Sequence, residues 1–337
     1  IYDAQGNEIA YQRIAQDMRR VKGNEITVSL PVALPALGYT TLTVRAGEQN
    51  VPTRYPEVPA LATSERSMEN EKIKVTIEEN GTLTLTDKRN GNVYTRLLTF
   101  EDNADIGDGW FHGSTVNDQL YVSSASSADV VLVHNGPMLA TFRVRTTMHL
   151  PAEFCFHRMV RSKELVDFVI ESTVSLRPGT DRVEVKTTVY NNAGDHRLCV
   201  LFPSGAQADT YMSDTPFDAV ERPIALRSDN HLYREPEVEP KPQQTWTAVH
   251  DKKRGLAIIS TGLMESGVRD LPERSVVLTL FRATRRTVGT DGEPDGQLLG
   301  DLHFSYWIVP LEGTPDRARL FWLGQQLGAG VRSEQLL

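Results

Sequence analysis

Apolar and polar residues alternate with a period of two along most of this chain. Ile73, Val75 and Ile77 are interleaved with Lys74 and Thr76, and Leu83 and Leu85 with Thr84 and Thr86, on either side of Asn80-Gly81. Alternation of this kind turns one strand face to a core and the other to water. Asn-Gly between two such runs predicts a hairpin whose central residues take positive φ. Asn90-Gly91 and Asn135-Gly136 repeat the device, the latter between residues 130–133 and 138–144, and Pro178-Gly179 separates two further runs at 167–176 and 182–190. Helical stripes are scarce: only residues 12–20 and 318–327 are expected to hold short helices. Many strands joined by Gly, Pro and Asn turns predict an all-β, antiparallel sandwich.

Pro52, Pro56 and Pro59 interrupt the pattern. The break predicts a small β-sandwich domain over 1–55, a linker over 56–67 and a large sandwich over 68–337. Within the small domain, 25–44 reads as strand, turn and strand. Residues 233–244 carry Pro236, Pro240 and Pro242 and are expected to form an exposed loop. The stretch 204–224 reads as a long polar loop.

Composition narrows the function classes. With 337 residues, 39% hydrophobic and 24% charged, the chain has room for a large core. Its formal charge of -8 disfavours nucleic acid or an anionic membrane as partner, since both need a basic face. No apolar run approaches the roughly 18 residues that cross a bilayer. The two cysteines, Cys155 and Cys199, are expected to be reduced thiols, which suits a cytoplasmic location.

Candidate chemistry lies in the loops. Among eight histidines there is no His-x-His and no His-Glu-x-x-His; Cys155-Phe156-His157 sets a thiol and an imidazole on one strand face but lacks two further ligands, so no metal site is expected. Ser204-Gly205 lacks the context of a nucleophile elbow, and Gly107-Asp108-Gly109 is a fragment of a phosphate loop with a carboxylate in the anion's place. The loop 101–111 combines Glu101, Asp102, Asp105 and Asp108 with Trp110 and Phe111. Sugar recognition uses such a mix, because carboxylates accept from hydroxyls while an aromatic face covers the apolar side of a ring; solvated turns use the same residues. Asp209, Asp214, Asp218 and Glu221 form a second acidic group with the same two readings. Arg282, Arg285 and Arg286 stand where a strand runs out into a loop. A guanidinium there can hold a sugar hydroxyl or close an ion pair with the acidic loops.

Residues 189–224, VYNNAGDHRLCVLFPSGAQADTYMSDTPFDAVERPI, closely resemble the C-terminal β-sandwich region of bacterial α-mannosidases of glycoside hydrolase family 38. Residues 35–41, 68–71, 80–88, 255–263 and 278–282 resemble further segments of that region in the same order. The resemblance implies a large antiparallel supersandwich of the galactose-mutarotase type after a small β-domain. It also implies that the whole enzyme is a retaining, zinc-dependent α-mannosidase. Its zinc ligands and Asp nucleophile would lie outside this chain, which would supply no catalytic residue and no metal ligand. The implied partners are its own N-terminal catalytic domain and a mannose-containing carbohydrate, with a homo-oligomeric state common among members. By the same resemblance Arg282 and, less directly, Arg285 match a substrate-contacting arginine of a late strand. Trp110, with Asp108 beside it, matches an aromatic of an early loop. Arg282→Ala is then expected to impair turnover with little loss of stability. A second class stays open: a stand-alone carbohydrate-binding or mutarotase-like sandwich, which needs a His and a Glu in one cleft and for which His112, His196 and Glu221 are available.

Overall fold

The computed structural model describes residues 1–17, 25–45, 59–234, 236–286, 291–292 and 294–334. Its centre is a nine-stranded antiparallel sheet. In spatial order the strands are Ala128–His134, Ala140–Pro151, Leu165–Leu176, Val183–Asn191, Gly300–Leu311, Gly255–Thr261, Trp246–His250, Thr210–Asp214 and Ala219–Pro223. A six-stranded sheet contains Lys241–Pro242, Glu265–Val268, Ser275–Ala283, His196–Pro203, Thr99–Ala104 and Tyr121–Val122. A five-stranded sheet runs in chain order from Ala62–Ser64 to Val93–Leu97. One continuous core joins all three: Ile73, Val75, Leu83 and Leu85 meet Phe142, Phe168, Val185, Phe202 and Tyr306. The fold is all-β: strands such as Ile73–Ile77 and Leu83–Asp87 bury every second side chain, and Gly255–Thr261 and Ser275–Ala283 are buried on both faces.

The predicted turns are present, with two changes of mechanism. Ile73–Ile77 and Leu83–Asp87 pair around Asn80-Gly81, but only Gly81 is left-handed, at φ +81°. Glu78 accepts from the Gly81 N–H and donates to Thr82, the signature of a turn followed by a glycine bulge. Gly136 does not take positive φ at all. It is needed for room: a Cβ there would stand 2.3 Å from the Gln12 side chain. Gln12 is buried, accepts from the Met138 and Leu139 N–H groups and donates to the Leu139 carbonyl, tying the N-terminal hairpin to the large sandwich.

Three expectations are corrected. The helix expected over 12–20 is a strand, Gln12–Asp17, paired with Glu25–Ser29, and residues 18–20 lie outside the described residues. Without an apolar stripe or cap, a short segment gains more from a neighbouring strand than from an isolated turn of helix. The polar stretch 204–224 is no long loop: Thr210–Asp214 and Ala219–Pro223 form a hairpin on the sheet edge. Asp214 holds it there, its carboxylate accepting from the Gln244, Thr245 and Trp246 N–H groups at 2.8–3.1 Å. The proline-rich 233–244 also enters a sheet, where Lys241–Pro242 pairs with Ser266 and Glu265. Of the linker expected over 56–67, residues 62–64 form a strand, while 46–58 lie outside the described residues. The C-terminal helix is found as Arg317–Ala329, capped by Asp316 and laid on the outer face of the nine-stranded sheet through Leu320 and Leu323. No helix among the described residues is long and apolar enough to cross a membrane.

Strand registers collect the loops at two ends. Pro151 faces Leu165, Asn191 faces Gly300, and His196 faces both Ala104 and Ala283. The segments after Ala104, Pro151, Asn191 and Ala283 therefore emerge together. The turns at 88–92, 177–182 and 312–316 emerge at the other end, where Asp87, Arg89, Asp181 and Arg319 meet.

Candidate functional site

The first of these ends rests on a buried polar knot. His196 is wholly buried between the edges of Phe168 and Phe281. Its Nδ1 contacts Asp102, and its Nε2 lies 3.0 Å from Asn191 Oδ1. The Asn191 amide is oriented by donating to the Gln297 and Leu298 carbonyls. Arg161 Nη2 sits 2.6 Å from the other Asp102 oxygen at an angle outside hydrogen-bond geometry, so that contact is ionic. Four loops are thereby fastened to the strand ends that bear them.

Above the knot, the loop after Ala104 is cross-braced. Asp105, 1% exposed, accepts from the Gly107 and Gly113 N–H groups. Those glycines let the two limbs touch, since a Cβ on Gly107 would lie 1.8 Å from the Phe111 carbonyl. Asp108 accepts from the Trp110 and Phe111 N–H groups, which holds its carboxyl below the usual carboxylate range. Arg282 closes the structure: Nε donates to Asp105 at 2.6 Å, and Nη2 donates to the Asp108 and Phe111 carbonyls at 2.8 and 2.7 Å. The product of this bracing is Trp110, held 85% exposed at the loop tip.

The structure thus brings Arg282, Asp108 and Trp110 together and sets Arg285 apart. Arg285 donates to Asp291 and lies with Arg286 over the Phe156 ring, at 4.8 and 4.6 Å. Its hollow is a neighbouring one, shared with Glu153, Asp195 and Gln297. There burial raises the Asp195 carboxyl above its usual range. The idea that Arg282→Ala spares stability does not fit this geometry, because Asp105 would keep a buried charge without its cation. Of the second acidic group, Asp214 is structural, and Glu221 lies on an exposed edge hairpin where it accepts from Thr210. His196 is sealed in the core, so His196 and Glu221 share no cleft.

A cleft of about 420 Å³ opens beside the braced loop, lined by Asp108, Leu263, Met264, Glu265, Thr279 and Arg282 among others. Glu265 accepts from Thr279 Oγ1 at 2.6 Å and lies 3.6 Å from Arg197. His112 stands near by, and burial lowers its pKa, with the Arg197 and Arg282 charges acting the same way against those of Asp105 and Glu265. Glu265, Thr279 and Arg197 were not singled out from the sequence. They are scattered over 83 positions, 197 to 279, and meet only through strand pairing. No group of three or more His, Cys, Asp or Glu side chains suited to a metal ion occurs among the described residues. Cys155 and His157 do touch, at 3.3 Å, but stand alone, and both cysteines are free. The described side chains do not fit a zinc site.

The fold is an antiparallel supersandwich with polar and aromatic groups gathered at one loop end. The chain belongs to the family described as the glycosyl hydrolases family 38 C-terminal domain, whose model matches residues 68–296. It is 26% identical over 278 residues to a putative mannosylglycerate hydrolase of Halalkalibacterium halodurans, covering 77% of this chain and 30% of that protein. Among solved structures it resembles an α-mannosidase from Enterococcus faecalis V583, with a TM-score of 0.79 and 26% identity. That match covers 96% of this chain and 39% of the other. A second family 38 protein from Enterococcus faecalis gives a TM-score of 0.76 at 26% identity, with 96% and 40% covered. The chain thus spans less than half the length of these relatives.

Proposed function

We propose that this chain is the C-terminal, non-catalytic part of a retaining, zinc-dependent α-mannoside hydrolase, packing on the catalytic part and lending one wall of its sugar site. The observation that carries this reading is the braced 105–113 loop. An arginine and two aspartates are committed to holding an indole in solvent, an arrangement with no gain for the isolated domain and an evident use against a sugar or a neighbouring domain. The family match and the partial coverage of the three relatives named above support the same division of labour. On this reading zinc is held by ligands outside the chain, and the substrate is a mannose-containing carbohydrate; a mannosylated small acid is one member of that class, from the name of the curated relative. Trp110 covers an apolar sugar face, Arg282 and Asp108 shape the rim, and Arg285 stands one hollow away. A homo-oligomeric, cytoplasmic enzyme completes the proposal.

The test is kinetic. Trp110→Ala in the whole protein is expected to lower kcat/KM for an aryl α-mannoside, and turnover by the purified 337-residue chain alone, insensitive to a chelator, would overturn the division of labour.

A further inference from the structure

The cleft beside the braced loop has more chemistry than bracing requires. Glu265 spends Oε1 on Thr279 and Arg197, and its Oε2 has no protein partner among the described residues. Arg282 spends Nε and Nη2 on the loop, and its Nη1 is likewise without a protein partner among them. Arg197 is only 7% exposed, and its buried Nε has no hydrogen-bond partner. Arg197 and Arg282 face each other across the strand pair, so both guanidinium groups leave the sheet on one face. Met264, exposed at the turn Gly262–Glu265, adds an apolar surface to the polar wall. A free carboxylate oxygen, a free guanidinium edge and a thioether around about 420 Å³ is a volume and a donor–acceptor set suited to a small polyol.

We infer that this cleft binds a pair of neighbouring hydroxyls of a hexose, with Glu265 Oε2 accepting from them and Arg282 Nη1 donating to a hydroxyl oxygen. Thr279 and Arg197 act through Glu265: they fix Oε1 and so aim Oε2. A carboxylate accepts from two hydroxyls at once, where an amide of the same shape offers one acceptor and two donors. This rests on the sugar-site reading above and adds to it a residue no sequence signal marked.

Saturation-transfer NMR of the 337-residue chain with methyl α-D-mannopyranoside tests it. The wild-type chain is expected to transfer saturation to the sugar ring protons. Glu265→Gln, melting at the wild-type temperature, is expected to weaken binding about tenfold. Glu273→Gln, on an exposed carboxylate paired with Arg96 at the opposite end, is expected to change nothing. No transfer in the wild type, or equal transfer in wild type and Glu265→Gln, overturns the assignment. If Glu265→Gln melts early, Thr279→Val replaces it with the same expected loss. The wider reading is judged separately: a whole protein that cleaves no α-mannoside sinks it even where the cleft takes the sugar, and a whole protein that cleaves normally keeps it even where the cleft does not.

Discussion

The two ends of the sandwich are built from the same residue types and do opposite things with them. At the end bearing the turns 88–92, 177–182 and 312–316, charge closes the structure. Arg89 grips buried Asp87 through two hydrogen bonds of 2.8 Å, reaches Glu312 at 2.5 Å and Asp181 at 3.4 Å, and donates to the Pro310 carbonyl. Arg319 of the C-terminal helix joins at Asp181. Asn70 there donates to the Arg177 and Thr180 carbonyls. At the other end, Arg282 and Asp105 make an equally tight pair but use it to display Trp110 and to border a cleft in which Glu265 keeps an oxygen free. Exposed Phe111, Val116, Leu120, Leu165 and Leu299 accompany the indole on segments emerging at that end. An ion pair stabilises either end, and only what it leaves uncovered distinguishes a structural end from a functional one.

That contrast can be broken experimentally. The largest expected effect is at the closed end. Arg89→Ala strands Asp87 without a cation and is expected to cost about 3 kcal/mol of stability in urea unfolding, with sugar binding unchanged. Arg282→Ala at the open end is expected to cost less, about 2 kcal/mol, since Arg282 pairs with one carboxylate and Arg89 with three, yet to abolish binding in the cleft. A smaller loss of stability at Arg89 than at Arg282 would reverse the assignment of the two ends. Trp110→Ala is expected to leave stability within about 0.5 kcal/mol while lowering mannoside turnover of the whole protein about fivefold; unchanged turnover removes the indole from the site. The smallest effect concerns pH. Burial holds His112 below its ordinary value of 6.5, so the unfolded chain takes up that proton first as the solution is acidified. The unfolded state then binds more protons, and the stability present above that value declines below it. His112→Asn is expected to reduce the difference in melting temperature between about pH 7.5 and about pH 5.5, and an unaltered difference argues against a half-buried neutral imidazole.

Legibility followed the range of the interaction. The hairpin at Asn80-Gly81 is local, since neighbours in sequence settle both the alternation and the turn, and it was read correctly apart from the handedness of Asn80. The strand at Gln12–Asp17 was misread as helix because its partner strand and the pocket for Gln12 decide it, and neither is visible within the segment. The site divides in the same way. Trp110, Asp108 and Arg282 could be named from loop composition and from resemblance, but not that Arg282 serves the loop. Its partners lie 171 to 177 positions away. Glu265 left no signal, being one carboxylate among many in an acidic chain.

By itself the sequence determined the all-β class, most of the strands and most of the turns, because a period of two and a glycine turn are properties of a few consecutive residues. Tertiary structure alone decided which charges were consumed and which left over. Burial and pairing depend on neighbours from distant strands, and a carboxylate's role is set by whether its second oxygen has met one.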